Sequence, residues 1–306
     1  MTSIPVIGPD DVAGRMDWVR LCDAMEAGHK GTKAQIGDQF LTRGDDILLS
    51  RAAWIDGLGV GVKSVTVFPQ NVAASLPSVQ GGMLVFDDTT GAPVALIDNA
   101  LITYWKTAAD SVLGARFLAR KNAQHLLIVG AGRVAQSLIE AYPAVLPGIQ
   151  KITVWNRTRS RAEALRTLHP HIEIADDLSE AMAEADIIST CTLTKTPIIA
   201  GADLRPGQHL DLIGAFTADM READDAALQR GRIFVDSFDT TLDHIGELKI
   251  PIAAGVISRS DVLGDFRDLA AGKVGRQSDG DITVFKNGGG AHLDLMTARV
   301  ILDAAG

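Results

Sequence analysis

The sequence predicts an α/β fold with two separate sheets, the first antiparallel and the second parallel. Short β-branched segments at residues 47–54, 60–68, 82–87 and 93–98 are broken by Gly, Pro or Asp-Asp-Thr-Thr-Gly, which is typical of antiparallel strands. From residue 126 onward, apolar runs alternate with helical patterns, as they do in parallel sheets. A length of 306 residues is enough for two domains with cores of their own.

The other elements follow from the same patterns along the chain. Apolar positions among charges predict an amphipathic helix over residues 10–30. In the second part, the expected helices and strands alternate: strands at 126–129, 152–155, 172–174, 186–192, 209–213 and 233–237, and helices at 133–142, 157–168 and 178–185. We expect residues 233–237 to be the last core strand of the parallel sheet. Residues 283–290 should then lead back to the first domain, before a final helix over residues 292–305.

A glycine-rich turn joins the first parallel strand to its helix. The pattern is G-x-G-x-x-A, with Ala135 at the third small position, and a second strand follows at the spacing of one strand–helix–strand unit. Glycines allow a tight turn and the close approach of a pyrophosphate, and the helix N-terminus supplies free N–H groups. The sequence therefore predicts a dinucleotide site here, against the alternative of a simple glycine turn. The predicted contacts are Gly130, Ala131, Gly132, Arg133 and Val134.

The end of the second strand predicts which dinucleotide binds. NAD sites usually carry Asp or Glu there to hold the ribose 2′-hydroxyl, and residues 156–161 contain no acid. Arg157 would pair with a 2′-phosphate, and Asn156, Thr158 and Arg161 would add hydrogen bonds. NADP(H) is therefore favoured over NAD(H), with a solvated basic helix start as the alternative.

Composition and charge argue against several classes of protein. A net charge of -9 argues against nucleic acid or an anionic membrane as the main partner. No apolar stretch approaches the length of a membrane span, and no signal peptide is visible, so a cytoplasmic location is expected. Cys22 and Cys191 are too few for a disulfide framework, and His169 and His171 lack partners at ligand spacing, so no metal site is expected.

Polar residues interrupt apolar sequence at three places. Lys63 lies in an apolar strand, and Lys106 opens a small-residue helix. Either lysine alone could equally be a side chain that lies along a strand edge with its charge in water, but two of them favour an anion site. Thr190 and Thr192 lie at the end of the expected strand 186–192, where they would line the nicotinamide side or simply reflect the β-propensity of Thr.

A series of motifs runs through the chain in a specific order. They are G-V-K ending at Lys63, P-S-V-Q-G-G at 77–82, D-x-x-T-G-x-P at 87–93, K-T-A-A-D-S at 106–111, G-A-G at 130–132, W-N-R-T at 155–158, D-M-R-E at 219–222 and T-V-F-K-N-G at 283–288. With these motifs the sequence resembles the ornithine cyclodeaminase and mu-crystallin family over nearly its whole length.

The resemblance implies a subunit of two nested domains and a homodimer. A mixed α/β domain for substrate binding and dimerisation would comprise residues 1–112 and 284–306, and a Rossmann NAD(P)-binding domain, residues 113–283, would be inserted in it. The substrate domains of two copies would pack together.

The resemblance also implies roles for particular residues. Lys63 would be the catalytic cation of the substrate pocket, and Lys106 would bind the substrate carboxylate where the family usually has Arg. Arg51 would be a third cation, unless it is an ordinary exposed strand residue. The segment 283–290, which ends in a run of three glycines, would touch the cofactor near the nicotinamide, whereas on sequence alone it is equally a mobile loop. Its predicted contacts are Lys286, Asn287 and Gly288.

Phe216 bears on the branch of the family. The cyclodeaminases carry an acid at this position for ring closure and ammonia loss, and Phe cannot move a proton. The segment 214–222 is closer to the mu-crystallin and ketimine reductase branch. The resulting hypothesis is NADPH-dependent reduction of Δ1-pyrroline-2-carboxylate or Δ1-piperideine-2-carboxylate to L-proline or L-pipecolate. The alternatives are an NAD-dependent ornithine cyclodeaminase, a non-catalytic NADPH and small-ligand binding protein of mu-crystallin type, and reductive amination of pyruvate to alanine.

Overall fold

Strands and helices in the computed structural model are described for residues 3–306, with the side chain of Val72 excepted. In chain order the strands are β1 (Val6–Ile7), β2 (Gln35–Arg43), β3 (Asp46–Ile55), β4 (Gly59–Val67), β5 (Val79–Phe86), β6 (Pro93–Asp98), β7 (His125–Val129), β8 (Lys151–Trp155), β9 (Glu173–Ile174), β10 (Ile187–Thr190), β11 (His209–Leu212), β12 (Arg232–Val235) and β13 (Thr283–Lys286). The α-helices are α1 (Trp18–Lys30), α2 (Asn99–Leu118), α3 (Arg133–Val145), α4 (Arg159–Leu168), α5 (Leu178–Glu184), α6 (Asp225–Arg230), α7 (Phe238–Thr241), α8 (Gly246–Ala253), α9 (Phe266–Ala270) and α10 (Ala291–Ala305).

The chain divides into two units, one of which is inserted in the other. The first unit holds the residues up to Lys106 together with Gly290–Gly306, and the second holds Thr107–Gly289. The nested fold class expected from the sequence is confirmed. The divisions lie at Lys106 and Gly290 rather than at residues 112 and 284, because α2 begins in the first unit and β13 belongs to the second.

The first unit is built on a six-stranded sheet in the order β1-β6-β5-β4-β3-β2. Its pairs are antiparallel except that β1 runs parallel to β6, and α10 packs against β2, β3, β4 and β5. In the β3–β4 register, Arg51 lies directly opposite Lys63. Strand β2 was not expected from the sequence. Its residues are exposed throughout, so it lacks the alternation of buried and exposed positions that marks a half-buried strand.

Helix α1 begins later than the apolar pattern predicts. The side chain of Asp17 accepts a hydrogen bond from the Arg20 N–H at 2.7 Å and so caps the helix, while Pro9–Val12 forms a separate 3-10 turn. Leu21, Cys22 and Met25 are fully buried on the face that packs with α10. The N-terminal helix therefore closes the core of the first unit.

The second unit is built on a parallel sheet of seven strands in the order β12-β13-β11-β10-β7-β8-β9. Strand β13 lies between β11 and β12, so residues 283–286 do not return to the first unit as the sequence suggested. All four of its residues are fully buried, and the charged end at Lys286 is satisfied by two backbone carbonyls. A terminal Lys next to a glycine run looks like a surface loop in sequence, which explains the error.

The carboxyl ends of β7, β10 and β11 lie side by side at one edge of this sheet. In open α/β sheets this edge binds the ligand. Apolar residues of these strands form the core beneath the edge, with Leu127, Ile188, Leu210 and Leu212 fully buried. Within residues 3–306, no helix is long and apolar enough to cross a membrane.

Candidate active site

The glycine turn after β7 has the geometry of a phosphate-binding site. Gly130 has a φ of 126°, and an added Cβ would lie 2.8 Å from the Cys191 Sγ, so only glycine fits without strain. Its N–H donates to the Trp155 carbonyl oxygen at 2.8 Å, which ties the turn to β8. Gly132 is exposed, caps the N-terminus of α3, and has open space where a Cβ would stand. The free N–H groups of this helix start are therefore open to an anion such as a phosphate.

The predicted contacts in this turn differ in access. Ala131 and Val134 are half-buried, whereas Arg133 is exposed. Gly130 is buried and shapes the turn, while Gly132 leaves the backbone open to a ligand.

The segment after β8 presents a basic surface. Arg157, Thr158 and Arg161 are exposed, and the Asn156 Nδ2 donates to the Thr158 carbonyl oxygen at 2.8 Å. Arg159 is engaged with Glu163 and Asp176. Across residues 3–306, neither Arg157 nor Arg161 forms an ion pair, so both guanidinium groups can meet an anion from solution. The side chain of Asn156 stabilises the turn after β8 through its hydrogen bond to Thr158.

Glu222 fastens two loops at the exits of β10 and β11. Its Oε1 accepts hydrogen bonds from the Thr192 N–H at 2.7 Å and the Thr192 hydroxyl at 2.8 Å, and its Oε2 accepts the Gly214 N–H at 2.6 Å. Glu222 is fully buried. Its own backbone N–H donates to Glu247 at 2.7 Å, as does the N–H of Ala223 at 3.0 Å. Burial raises the pKa of Glu247 to about 7.

The glycine run after β13 is held from inside the second unit. Asp236 accepts the N–H of Gly288 at 2.9 Å and that of Gly289 at 2.5 Å. The Asn287 Nδ2 donates to the Thr107 carbonyl oxygen and to the Ser111 hydroxyl, both at 3.3 Å. These bonds fix the backbone of the run.

Two residues predicted to touch the cofactor are instead sealed within the fold. Lys286 is fully buried, and its Nζ donates to the carbonyl oxygens of Leu212 at 2.9 Å and Asn287 at 2.7 Å. Thr190 is also fully buried, and its hydroxyl is directed at the Asp211 carbonyl oxygen. Neither presents an atom to a ligand, so both support the sheet exit from within. Thr192 and Gly288 are half-buried and remain at the surface of the edge.

The predicted cations of the first unit lie together around a buried carboxylate. Lys63 on β4 forms an ion pair with Asp294 on α10, with 2.7 Å between Nζ and Oδ2. Lys106 on α2 is 8% exposed, and Arg51 on β3 pairs with Asp38 on β2 at 2.5 Å. Burial lowers the pKa of Lys63, and Lys106 and Arg51 add to that effect, while Asp294 opposes it. The structure thus brings the three predicted substrate contacts into one electrostatic cluster.

Three acids in these arrangements were not singled out from the sequence. Glu222 lies in the D-M-R-E motif, which indicates a family branch but does not show that this acid joins two loops. Asp236 follows an apolar strand directly, where a strand exit would have suggested a polar role. Asp294 is an acid in the apolar first turns of the last helix, and an isolated charge in such a run was the available signal. Phe216 is 62% exposed, so the loop after β11 presents a ring where a cyclodeaminase would need an acid.

Comparison with known proteins gives consistent matches. The model of the ornithine cyclodeaminase/mu-crystallin family matches residues 52–306. A Δ1-pyrroline-2-carboxylate reductase of Paracoccus denitrificans is 53% identical over 296 residues, covering 95% of this chain and 94% of that protein.

Two solved structures are similar to the whole chain. The Δ1-pyrroline-2-carboxylate reductase of Thermococcus litoralis, in complex with NADH and L-proline, has a TM-score of 0.91 at 26% identity, over 99% of this chain and 97% of that one. An archaeal alanine dehydrogenase dimer with bound NAD has a TM-score of 0.91 at 26% identity, over 99% and 96% of the two chains.

Proposed function

Because the chain belongs to the ornithine cyclodeaminase/mu-crystallin family, on its ketimine reductase branch, we propose that it reduces a cyclic imino acid with NADPH. The product would be L-proline from Δ1-pyrroline-2-carboxylate or L-pipecolate from Δ1-piperideine-2-carboxylate. As an enzyme it is an NAD(P)H-dependent oxidoreductase acting on a carbon–nitrogen bond.

The observation that carries this proposal is the cation cluster of the first unit. Lys106, Lys63 and Arg51 all act on the buried carboxylate of Asp294, and Asp38 pairs with Arg51. These five groups carry one net positive charge, which favours a further anion. An imino acid brings a carboxylate next to its reactive C=N bond. Lys106 would anchor that carboxylate as a point charge, and Lys63 would stand by the nitrogen.

The chain has little covalent chemistry to perform in this reaction. When bound, the reduced dinucleotide supplies the hydride. Lys106 orients the substrate through its carboxylate, which gives the ring one fixed end. Lys63 holds the proton that the nitrogen receives. Proton transfer from Lys63 to the nitrogen makes the C=N bond a better electrophile, so orientation and proton supply are the contributions required of the protein.

The preference for NADPH rests on Arg157 and Arg161, which are exposed and form no ion pair within residues 3–306. To test this, NADPH and NADH oxidation are measured with Δ1-pyrroline-2-carboxylate for wild type, Arg157→Ala and the control Arg166→Ala. Arg166 lies on α4 and pairs with Glu163. We expect Arg157→Ala to lower kcat/KM for NADPH by about tenfold to a hundredfold, the value of a charge-assisted hydrogen bond, and to leave NADH nearly unchanged. Equal effects on both dinucleotides would contradict the assignment.

The same assay separates the alternative functions. An ornithine cyclodeaminase would release ammonia from ornithine with NAD and without added reductant, and the exposed Phe216 disfavours it. A binding protein would show no steady-state turnover of the imine. Reductive amination of pyruvate would require ammonia. Comparing Δ1-pyrroline-2-carboxylate with Δ1-piperideine-2-carboxylate sets the ring size.

A homodimer formed through the first unit accompanies this function. Strand β2 is exposed throughout and lies at the sheet edge with two large apolar side chains in the open, Phe40 at 60% and Leu41 at 54% exposure. Exposed apolar patches on soluble proteins mark interaction surfaces. The alanine dehydrogenase similar in structure is a dimer. Phe40→Asp should yield a monomer in light scattering after size exclusion, and a monomeric wild type would refute the dimer. A cytoplasmic location remains a prediction from the sequence.

A further inference from the structure

Asp294 occupies a site that is unusual for an acid. It lies in the first turn of α10, its side chain is fully buried, and its Oδ2 is 2.7 Å from the Lys63 Nζ. The Lys63 side chain is itself only 11% exposed. A buried ion pair is costly unless its geometry is good, and removing one partner leaves an uncompensated charge. The start of a helix also favours a carboxylate through its dipole.

The surroundings of the pair are strongly cationic. Lys106 from α2 and Arg51 from β3 both act on Lys63 and on Asp294, and Arg51 also pairs with Asp38 of β2. The three cations together lower the pKa of Asp294 although burial opposes them, so this carboxylate stays ionised. For Lys63 the balance is the reverse: burial and two like charges lower its pKa, and Asp294 is the largest opposing influence. Asp294 is thus the group that keeps a proton on Lys63.

We propose that Asp294 is the positioning residue of the imine site, which holds the Lys63 ammonium in place as the proton donor to the substrate nitrogen. The inference rests on the proposed function. In the step, hydride from the dinucleotide forms the new C–H bond as the C=N π bond breaks. The nitrogen takes a proton from the Lys63 ammonium, whose N–H bond breaks, and Lys63 is left as a neutral amine paired with the Asp294 carboxylate.

A purely structural ion pair would behave differently on mutation. Asp294→Asn keeps the volume and removes the charge, so Lys63 would face Lys106 and Arg51 without its counter-ion. Loss of an opposite charge at this distance lowers a lysine pKa by about 1–3 units. Since the reduction needs the ammonium form, the alkaline limb of kcat/KM should move to lower pH by about that amount.

The experiment measures kcat/KM for Δ1-pyrroline-2-carboxylate against pH in wild type and Asp294→Asn. We expect a loss of about a hundredfold at pH 8, the lower range for a general acid, with the shifted alkaline limb and unchanged dinucleotide affinity. The control is Asp303→Asn, which removes an acid on the same helix that pairs with exposed Arg20. It should match wild type in both rate and pH profile.

Two double variants test whether Asp294 acts through Lys63. If Asp294 acts through Lys63, the double variant Lys63→Met/Asp294→Asn should be no slower than Lys63→Met; an additive loss contradicts the proposal. An unshifted alkaline limb in Asp294→Asn also overturns it. If Asp294→Asn does not fold, Lys63→Gln/Asp294→Asn removes both charges and should lack the limb, and a retained limb would refute the role.

Titration of Lys63 without substrate separates a loss of the Lys63–Asp294 pairing from a lack of imine reduction. The ¹⁵Nζ resonance of Lys63, assigned with Lys63→Arg, can be titrated without any substrate. A lower midpoint in Asp294→Asn than in wild type supports the pairing even if the imine is not turned over. Equal midpoints overturn it even if the enzyme is active.

Discussion

Glu222→Gln should loosen the exits of β10 and β11 together. The carboxylate accepts three hydrogen bonds, two from Thr192 on Oε1 and one from Gly214 on Oε2. A glutamine offers one oxygen, so its best orientation keeps both Thr192 bonds and turns an NH₂ group toward the Gly214 N–H. The variant loses one bond to a charged acceptor and leaves a backbone N–H without a partner. Loss of such a bond costs about 1.5–3 kcal/mol, and weakening of the other two brings the total to about 3 kcal/mol.

One effect opposes this loss. Glu222 and Glu247 repel each other, and that repulsion helps to raise the pKa of Glu247, so neutralising Glu222 relieves part of the strain. The remaining cost of about 2 kcal/mol corresponds to a fall in Tm of about 4–8 °C for a unit of this size. Scanning calorimetry measures this directly, and fluorescence titration with NADPH should show weaker binding because the Thr192 loop is no longer fixed.

Thr192→Val is the reference variant, because its loss of stability gives the value of one of the three hydrogen bonds. It removes only the hydroxyl bond to Glu222, so it should cost about 1 kcal/mol. If Glu222→Gln melts within about 2 °C of wild type and binds NADPH equally well, the clamp is not what organises these loops.

Two further predictions concern stability. At Gly201 an added Cβ would lie 2.0 Å from the backbone nitrogen of Ala227, so Gly201→Ala should lower the free energy of unfolding by about 3 kcal/mol in denaturant. At Gly132 an added Cβ meets nothing within 4 Å, so Gly132→Ala should keep wild-type stability while weakening NADPH binding. A larger loss of stability in Gly132→Ala than in Gly201→Ala would contradict the packing argument. Burial, with Arg276 nearby, lowers the pKa of His209 to about 3, so the unfolded state binds more protons than the folded state below pH 6.5 and this contribution to stability is lost as pH falls. Between pH 7 and pH 5 wild type should therefore lose about 2 kcal/mol more than His209→Gln in urea unfolding, and parallel curves for the two proteins would refute a neutral buried imidazole.

The sequence predicts those elements whose residues have a local structural cause, and it misses those that depend on distant partners. The glycine turn and the apolar strands were predictable because Gly130 and the buried β7 run have local causes, a positive φ and complete burial. Strand β2 was missed because its stability comes from pairing with β3 rather than from a buried face. Lys286 was wrongly predicted to contact the cofactor. The sequence does not distinguish an exposed lysine from a buried one whose ammonium donates to backbone carbonyl oxygens.

Prediction of the candidate site's residues from the sequence is limited in the same way. Lys63 and Lys106 stood out as charges in apolar sequence, and the family resemblance added Arg51 as a third cation, with an ordinary exposed strand residue as the alternative. Asp294 was not singled out, because its meaning depends on a partner on β4 that is far away in the chain. Pairing between distant segments is set by tertiary packing, which no local pattern in one sequence contains.

The placement of β13 has a consequence for how the protein is made. Chains emerge from synthesis with the N-terminal end first, so β11 and β12 exist well before the strand that must lie between them. The same closing segment also delivers α10, which packs on the sheet of the first unit. Both units therefore wait for the last stretch of polypeptide before either is complete. A premature stop codon ahead of Thr283 would leave one sheet without an interior strand and the other without its covering helix.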